Sequence, residues 1–423
     1  MSQRPESTGP VKRALLISFD LISEAEPPTS FAIGCLLSFL KTHWLCRDIE
    51  IEHVSFNLLQ TPTLSPEQAL RRILSQFGTC NFDTVAISCY IWAESLINPI
   101  IAALRRSGFA GRIVLGGNQI HYSSSLDSDY PDAQVFVRGF GELSLLRALT
   151  EASSTLPRIL NEEVDLASLP SPYLNGTIPV SQNQRKVRTE TKRGCPYRCS
   201  FCAHRDLEHP KVYPGNRETT IAELKFLSDK NVNKINIVDP VFNIGHDYLW
   251  ILEQIATMGA HFRLSLQCRA DLIRGAEGAR FLDLCKALNV CLEFGLQSII
   301  PSECLAINRR NDLDRISHVF RDLNRRQIDY EVTLIYGLPT QTVRSFQESV
   351  SYLQGLDCPK IRAFPLMLLR GTELWAQKQR WGYREEPNGP YHIPVTVESN
   401  TFTRDEWVSM KLLADALNPA EQV

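Results

Sequence analysis

Short apolar runs alternate with stretches of helical periodicity through the first third of the chain. Helical stretches separate five predicted strands, at 14–19, 49–54, 84–90, 112–117 and 134–139. Near-continuous apolar strands that alternate with helices indicate a parallel sheet covered on both faces. We therefore predict an α/β, doubly wound, Rossmann-like domain over 13–152, after a polar tail at 1–12. Ligands are expected at the carboxyl ends of its strands.

The same alternation of strands and helices returns in the second half. The predicted strands are 186–191, 234–239, 262–268, 290–296, 330–337 and 362–368. Six βα units predict a partial (β/α)6 TIM-type barrel over 186–370, with its chemistry on the loops that follow the strands. The region 153–185 is rich in Pro, Ser and Asn and is predicted to be a linker. Residues 371–423 are predicted to form a C-terminal segment.

Polar residues recur at every second position in three of the barrel strands. They are Arg263, Ser265, Gln267 and Arg269 along the third strand, Glu293, Gly295 and Gln297 in the fourth, and Glu331 and Thr333 in the fifth. Because helices cover the outside of a barrel, the polar face must turn inward. The pattern predicts either an ion-pair network, such as Arg269 with Glu293, or an interior lined for a polar ligand. The convergence of polar groups from separate strands favours the ligand.

The composition is typical of a soluble globular protein with more than one domain. The chain has 423 residues, of which 43% are hydrophobic and 22% are charged. The formal net charge of -2 and the lack of a long basic run give no electrostatic support for a nucleic-acid substrate. The polar start is not typical of a signal peptide, and no apolar stretch approaches the roughly 18 residues that span a bilayer. We therefore predict a cytoplasmic location with no membrane partner.

Three of the twelve cysteines are concentrated in TKRGCPYRCSFCAHRD, residues 191–206. Disulfides are disfavoured, because cytoplasmic cysteines stay reduced. A structural zinc site needs four ligands. The stretch offers three cysteines and a histidine for this purpose: Cys195, Cys199, Cys202 and His204. A four-iron cluster held by three thiolates instead leaves one iron open for a substrate. The position of the stretch directly after the first barrel strand favours the cluster over a small zinc module.

Several segments of the second half resemble motifs of a known family. CPYRCSFC (195–202) is similar to the Cys-x3-Cys-x2-Cys signature of radical S-adenosylmethionine (radical SAM) enzymes. Further segments resemble other motifs of that family in the expected order: DPVFN (239–243), LEFGLQS (292–298) with INRR (307–310), LIYGLPTQT (334–342) and GTELW (371–375). The resemblance implies an enzyme that reductively cleaves S-adenosylmethionine (SAM) at a 4Fe-4S cluster. The 5'-deoxyadenosyl radical then activates a C–H bond of a small polar substrate. The expected electron donor is a flavodoxin, a ferredoxin or a dedicated reductase.

The resemblance also implies roles for individual residues. Cys195, Cys199 and Cys202 are expected to hold the cluster. Arg269 is the candidate partner of the SAM carboxylate, because a guanidinium can bind a carboxylate with two hydrogen bonds. The other expected cofactor contacts are Phe201 beside the adenine, Asp239 and Asn243 at the amino group, Gln297 and Ser298 at the ribose or substrate, and Gly337 against the adenine. Loop packing is the alternative for Phe201, and helix capping is the alternative for Asp239 and Asn243.

The first half resembles the subclass with an N-terminal cobalamin-binding domain. PPTSFAIGCLLSFLK (27–41) is similar to the opening helix of that domain. The later loops of the domain have counterparts in ISCYIW (87–92), LGGNQI (115–120) and VRGFGE (137–142). The histidine of the Asp-x-His-x-x-Gly motif has no counterpart, which implies base-off binding without a histidine ligand. Asn118 and Phe140 depart from the usual loop sequences. Cobalamin binding and a domain kept only for architecture therefore both stay open.

These alternatives lead to different functions. With cobalamin, the expected reaction is methylation of an unactivated carbon in a natural-product intermediate. Without cobalamin, the radical is expected to drive dehydration or deoxygenation of an aminoglycoside or another polyol. A transfer-RNA modifier is a weaker expectation. A non-catalytic, zinc-stabilised interaction protein remains only if iron is absent.

Overall fold

A computed structural model describes residues 11–78, 81–121, 123–204 and 211–418 of the chain. The chain divides into two compact units. The first unit comprises Met1–Ile22 and Ala32–Val164, and the second comprises Ser23–Phe31 and Asp165–Val423. Among the described residues, no helix is both long enough and apolar enough to cross a membrane.

The first unit contains a parallel sheet of six strands. The strands are β1 Lys12–Asp20, β2 Ile49–Asn57, β3 Thr84–Ser88, β4 Arg112–Gly116, β5 Val135–Val137 and β6 Ile159–Leu160. The helices in this part of the chain are α1 Phe31–Thr42, α2 Pro66–Phe77, α3 Glu94–Arg106, α4 Asn118–His121, α5 Leu126–Asp129 and α6 Gly141–Thr150. The sheet order is β2-β1-β3-β4-β5-β6, which places a topological switch point between β1 and β3.

The predicted doubly wound sheet is confirmed, and one strand is added to it. All five predicted strands are present. The sixth strand, β6, lies in the region predicted to be a linker. It has only two residues, so it leaves no periodic pattern in the sequence.

The central strand β1 is buried on both faces. Ala14 and Leu16 belong to a hydrophobic core that they share with Leu37 of α1 and Leu145 of α6. Leu15, between them, points to the opposite face because successive side chains of a strand alternate, and it is fully buried. Helices on both faces of the sheet therefore account for the nearly continuous apolar run in this strand.

The second unit contains an open parallel sheet of six strands. The strands described in the whole unit, including two further pairs outside this sheet (β8 with β9, and β15 with β16), are β7 Lys186–Thr189, β8 Lys192–Arg193, β9 Tyr213–Pro214, β10 Lys234–Ile237, β11 Arg263–Cys268, β12 Val290–Gln297, β13 Asp329–Tyr336, β14 Ile361–Pro365, β15 Arg384–Asn388 and β16 Ile393–Glu398. Its helices are α7 Arg217–Asp229, α8 Tyr248–Met258, α9 Gly275–Ala287, α10 Pro301–Ala306, α11 Leu313–Arg326, α12 Val343–Gly355, α13 Glu373–Ala376 and α14 Arg404–Leu417. The sheet order β14-β13-β12-β11-β10-β7 follows the chain, which is the order of a partial (β/α)6 barrel.

Strand β12 shows which face of the barrel sheet points inward. Its alternate residues Val290, Leu292, Phe294 and Leu296 are buried, and those between them are half-buried. Phe294 packs against Phe320 of α11, with 5.5 Å between the ring centroids. The apolar face therefore meets the helices, and the polar face turns to the interior, as the alternation in the sequence predicts.

A loop from the first part of the chain covers one edge of the barrel sheet. The loop is Ser23–Phe31, between β1 and α1, and it belongs to the second unit. The N–H of Lys186, in the edge strand β7, donates to the carbonyl of Ala25 at 2.9 Å. Arg188 of the same strand donates from Nη2 to Glu26 Oε2 at 3.2 Å. This cover occupies an edge that would otherwise present unpaired backbone groups.

The C-terminal segment packs on the barrel. Strands β15 and β16 form an antiparallel hairpin. Helix α14 begins with a capping box, in which Thr403 and Glu406 satisfy each other's backbone N–H groups. Trp407 and Met410 of this helix are buried in the core of the second unit.

Candidate functional site

The cysteine loop, which contains Cys195, Cys199 and Cys202, follows β7 and β8 at the carboxyl end of the first barrel strand. Cys199 is buried, and Cys195 and Cys202 are half-buried. Burial raises the pKa of the Cys202 thiol to about 11, and the neighbouring Cys199 and Cys195 add to this rise. Burial also raises the pKa of Cys195, with a contribution from Cys199. The three thiols therefore lie close enough to influence one another electrostatically.

Two segments that are distant in sequence hold this loop. The Ser200 N–H donates to the Ile307 carbonyl at 2.9 Å, and the Ser200 carbonyl accepts from the Leu374 N–H at 2.9 Å. Asn308 Nδ2 donates to the Arg198 carbonyl at 2.8 Å. The INRR and GTELW segments thus converge on the cysteine loop.

The chemistry of the loop fits an iron–sulfur cluster. A zinc site gathers its ligands around one ion, whereas the thiolates of a cluster bind different irons. The Arg269 and Arg309 guanidinium groups act to lower the pKa of Cys195, against the larger effect of burial. Three sulfurs beside two cations suit an anionic cluster.

Arg269 has a carboxylate partner within the chain. Its Nε and Nη2 donate to the two oxygens of Asp271, at 2.9 and 2.7 Å. Its guanidinium carbon lies 4.1 Å from the ring centroid of Tyr197, in the cysteine loop. Arg269 thus binds Asp271 in place of the predicted ion pair with Glu293, whose carboxylate accepts from Ser265 Oγ. The role of Arg269 at the SAM carboxylate stays a prediction.

Arg309 reaches from the INRR segment to the cysteine loop. Its Nη1 lies 3.6 Å from Cys199 Sγ, and its Nη2 donates to the Gly295 carbonyl in β12. Its Nε is buried and has no hydrogen-bond partner among the described residues. One guanidinium therefore connects a predicted cluster ligand with the fourth strand of the barrel.

Asp239 and Asn243 both bond to other protein groups. Asp239 is fully buried, and its Oδ1 accepts from the N–H groups of Thr191 and Lys192 at 2.7 and 3.2 Å. Burial raises the pKa of Asp239 to about 6. Asn243 exchanges two hydrogen bonds of 2.9 Å with the backbone of Arg269. Neither residue is the N-cap of α8. In this structure they organise the loops around the cysteines, and their contact with the SAM amino group stays a prediction.

Gln297 ends β12 with a φ of 70°, a left-handed conformation that is costly for a residue with a side chain. A Cβ atom on Gly295 would lie 2.5 Å from Gln297 Nε2, so the glycine makes room for the amide. Gln297 Oε1 is buried without a hydrogen-bond partner among the described residues. A hydroxyl group of a bound ligand could donate to this acceptor. The contact of Gln297 with ribose or substrate stays a prediction.

Ser298 and Gly337 belong to one buried polar network. Ser298 Oγ donates to Glu303 Oε2 at 2.6 Å, and Gln341 Nε2 donates to the same oxygen at 3.1 Å. Ser345 Oγ donates to the other oxygen of Glu303. Gln341 Oε1 accepts from the Gly337 N–H at 2.6 Å. The network connects the carboxyl ends of β12 and β13, where the cofactor contacts of both residues stay predictions.

The two residues expected beside the adenine pack against the protein. Phe201 is half-buried against the core of the second unit. Gly337 has a φ of 89°, and a Cβ atom there would lie 2.8 Å from Thr396 Oγ1 in β16. The carbonyl of Gly337 accepts from the Tyr383 hydroxyl at 3.1 Å. The close approach of the C-terminal hairpin thus requires a glycine at this position.

The interior of the barrel is polar, and ion pairs occupy only part of it. Glu331 pairs with Arg362 at 3.2 Å. Glu293, its neighbour across the sheet, accepts a hydrogen bond from Ser265. Asn236 Oδ1, on β10, is buried without a hydrogen-bond partner among the described residues. These groups leave hydrogen-bonding capacity for a polar ligand.

The switch point of the first unit is built from aromatic and small residues. The Phe19 N–H donates to Ser88 Oγ at 3.3 Å, which connects the ends of β1 and β3. Trp92 Nε1 donates to the Phe19 carbonyl at 2.9 Å, and Trp92 stacks on Tyr90 with 4.6 Å between the ring centroids. These side chains form a wall at the carboxyl ends of the strands, where doubly wound sheets bind ligands.

The glycine loop after β4 approaches the same region. Gly117 has a φ of 108°, and a Cβ atom there would lie 2.6 Å from the Cys89 carbonyl oxygen. A glycine is therefore needed in LGGNQI. Of the two departures from the usual loop sequences, Asn118 begins α4, and Phe140 is the half-buried N-cap of α6.

Residues 189–353 match the model of the radical SAM superfamily. These residues therefore form a radical SAM domain. Such a domain indicates an enzyme of the radical SAM class, and it implies the 4Fe-4S cluster and SAM that the sequence predicts. The match contains the cysteine loop, Arg269 and the INRR segment.

This radical SAM enzyme is similar to two curated methyltransferases. TokK of Streptomyces tokunonensis, a cobalamin-dependent radical SAM methyltransferase, is 24% identical over 386 residues, which cover 78% of this chain and 56% of TokK. The 2-(S-pantetheinyl)-carbapenam-3-carboxylate methyltransferase of Streptantibioticus cattleyicolor is 23% identical over 379 residues, with the same coverage. The chain thus spans 56% of the length of both curated relatives.

Solved structures share the fold of both units. The radical SAM methyltransferase TsrM from Kitasatospora setae, with tryptophan and a SAM analogue bound, has a TM-score of 0.71 and 16% identity, and the match covers 97% of this chain and 90% of that chain. OxsB, a cobalamin-dependent SAM radical enzyme with aqua-cobalamin and SAM bound, has a TM-score of 0.66 and 13% identity. The match covers 95% of this chain and 66% of the OxsB chain. At this identity the likeness shows the fold alone.

Two residues at the site of this radical SAM enzyme give little signal in the sequence. Arg309 lies in the INRR segment, where the resemblance marks a motif without naming a role for its members. Glu303 lies in the short helix α10 and is fully buried. A charged residue in such a helix is usually exposed, so only the fold reveals that Glu303 joins the network of Ser298 and Gln341.

Proposed function

We propose that this radical SAM enzyme transfers a methyl group to a carbon of a small, polar natural-product intermediate, with cobalamin as a second cofactor. The observation that carries the proposal is the combination of the two units in one chain. A doubly wound sheet precedes a partial barrel, and their fold matches that of TsrM with cobalamin and a [4Fe-4S] cluster bound over 97% of this chain. The printed activities of both curated relatives, which are methyltransferases, support the same reaction type.

The proposed cluster ligands are Cys195, Cys199 and Cys202. When bound, a cluster with an open iron supplies the reductive cleavage of SAM, and cobalamin supplies a carrier for the methyl group. Two backbone hydrogen bonds of Ser200 hold the cysteine loop: its N–H donates to the Ile307 carbonyl, and its carbonyl accepts from the Leu374 N–H. Because these bonds come from separate elements, the loop geometry is defined before a cofactor binds.

The proposed SAM contacts come from the ends of three barrel strands. Arg269 lies against the cysteine loop through Tyr197, and this position supports its proposed contact with the SAM carboxylate. Gln297 offers a buried acceptor without a partner among the described residues. Asp239 and Asn243 shape the intervening loops. Phe201, Ser298 and Gly337 remain proposed cofactor contacts, each with a protein partner in this structure.

The proposed cobalamin site is the switch point of the first unit. Its wall is formed by Tyr90 and Trp92, and Gly117 lets the loop after β4 pass close to the backbone of Cys89. An apolar wall beside a glycine loop suits a large, flat ligand. The chain supplies no histidine of the usual cobalamin motif, so we propose base-off binding.

The proposed substrate site is the polar interior of the barrel. Glu293 and Asn236 provide hydrogen-bond acceptors on strands whose outer faces are packed against helices. A site enclosed in this way excludes water and protects a reactive intermediate. We further propose a one-electron reductant of flavodoxin or ferredoxin type or a dedicated reductase, a cytoplasmic location, and no role for nucleic acid.

An anaerobic assay tests the proposed reaction. Reconstituted protein is incubated with dithionite and SAM, with and without methylcobalamin, and with a panel of small polar acceptors. We expect 5'-deoxyadenosine, together with S-adenosylhomocysteine that depends on methylcobalamin. Production of 5'-deoxyadenosine that is independent of cobalamin, without S-adenosylhomocysteine, would instead favour a dehydratase or deoxygenase.

A matched variant checks that cobalamin acts through the proposed site. W92F removes the indole N–H that bonds to the Phe19 carbonyl but keeps an aromatic ring beside Tyr90. W92A removes the Trp92 ring from the wall and leaves only Tyr90. We expect W92A to bind cobalamin much more weakly than W92F does, as measured by absorbance titration. Equal binding by both variants would contradict the proposed position.

A further inference from the structure

Arg309 makes a contact with the cysteine loop that the proposed function does not yet explain. It follows α10 in the INRR segment, residues 307–310. Its Nη1 lies 3.6 Å from Cys199 Sγ, and its Nη2 donates to the Gly295 carbonyl. The planar guanidinium is therefore held through its two terminal nitrogens, between a predicted cluster ligand and strand β12.

The charge of Arg309 is directed at the sulfurs. Arg309 forms no ion pair with a carboxylate among the described residues, and its Nε is buried without a hydrogen-bond partner there. Arg269, another nearby cation, is paired with Asp271 at 2.7 Å. Arg309 is thus half-buried and in contact with Cys199, and no described carboxylate offsets its charge.

We propose that Arg309 is a positioning residue that raises the reduction potential of the cluster held by Cys199. The inference rests on the proposed cluster site. One electron from the reductant adds a negative charge to the cluster, and no bond of the protein changes. Hydrogen bonds to the sulfurs and nearby positive charge stabilise the reduced state more than the oxidised state. The hydrogen bond to Gly295 holds the guanidinium at the distance at which this effect operates.

The test compares four full-length proteins that are reconstituted anaerobically. They are wild type, R309Q, R309K and R310Q. R310Q is the matched control, because Arg310 is exposed and contacts Arg269 through its main-chain carbonyl, which the substitution keeps. Iron and sulfide content is measured first. The ratio of reduced to oxidised cluster is then titrated with redox mediators in the absence of SAM and followed by electron paramagnetic resonance (EPR).

We expect R309Q to keep its iron but to be harder to reduce. At the midpoint potential of wild type, its ratio of reduced to oxidised cluster should fall about tenfold, because a hydrogen bond from a charged group is lost. A tenfold change corresponds to about 59 mV for a one-electron couple. R309K keeps the charge but cannot bridge both atoms, so its ratio should fall about threefold. R310Q should stay within about twofold of wild type.

A wild-type midpoint potential in R309Q with full iron content would overturn the inference, and so would an equal shift in R310Q. If R309Q does not retain iron, the ratio of reduced to oxidised cluster in R309K tests the inference instead. A lower ratio in R309K supports the role of the two-point contact, and a wild-type ratio overturns it. Failure of the wild-type protein to hold any cluster would refute the proposed function instead, so the two failures are distinguishable.

Discussion

Replacement of Glu303 tests the polar network that connects the ends of β12 and β13. Glu303 is fully buried, and its Oε2 accepts from Ser298 Oγ at 2.6 Å and from Gln341 Nε2 at 3.1 Å. Its Oε1 accepts from Ser345 Oγ. The two substitutions E303A and E303Q separate the loss of this network from the loss of its charge.

The geometry predicts different costs for the two substitutions. E303A removes the acceptor of three donors, and a buried unsatisfied donor costs roughly 1–3 kcal/mol. Gln341 Nε2 keeps a bond to the Ile335 carbonyl at 3.2 Å, and Ser345 Oγ keeps one to the Thr342 carbonyl at 3.1 Å. We therefore expect E303A to lose about 2–4 kcal/mol of unfolding free energy in total.

E303Q is expected to be nearly neutral. Its amide oxygen can take the place of Oε2, and its amide nitrogen can donate to the Ser345 hydroxyl, which is able to accept. The neutral amide also avoids the burial of a charge. We expect a loss below about 1 kcal/mol for this variant.

Urea denaturation, followed by circular dichroism and tryptophan fluorescence, measures both variants against wild type. Binding of SAM to the folded proteins provides the functional comparison, because Gln341 also orients the Gly337 N–H. We expect weaker binding in E303A and wild-type binding in E303Q. If E303Q is destabilised as much as E303A, the described hydrogen-bond pattern is refuted.

Three further predictions concern other buried groups. Burial raises the pKa of Glu223 to about 7, above the unfolded value of 4.5. The protein should therefore be most stable below about pH 4.5, as far as this group is concerned, and lose about 3 kcal/mol of unfolding free energy as the pH rises to about 7. E223Q should remove this pH dependence in urea titrations, and its persistence would count against the assignment. C199A should lose cluster absorbance while keeping its circular dichroism spectrum, whereas retained iron would contradict the cluster assignment. E26Q should lower the unfolding free energy by about 1 kcal/mol through weaker bonds to Arg188, and an unchanged value would show that the loop cover is not stabilising.

Much of the fold could be predicted because its strands follow simple periodic patterns. Residues 290–296 alternate between apolar and polar positions, and the structure turns the polar ones inward. Strand β6 could not be predicted, since its two residues carry no period. The cover of the barrel edge was equally hidden, because Glu26 and Arg188 are 162 residues apart in the sequence.

The residues of the candidate site were predictable to different degrees. The spacing of Cys195, Cys199 and Cys202 reflects the chemistry of a cluster, so it is visible in the sequence. The partner of a polar side chain is not visible in this way. Asp239 has the residue type expected of a ligand contact, yet its carboxylate accepts from the backbone of Thr191. Arg309 acquires its place at Cys199 only when β12 and the cysteine loop come together.

The most direct test of the central claim is EPR and metal analysis of the anaerobically reconstituted protein, before and after the addition of SAM. We expect about four irons and four sulfides per chain, as a [4Fe-4S] cluster requires. We also expect an EPR signal of the reduced cluster whose g values change when SAM binds the open iron. A protein that contains one zinc ion, no iron and no such signal would contradict the account.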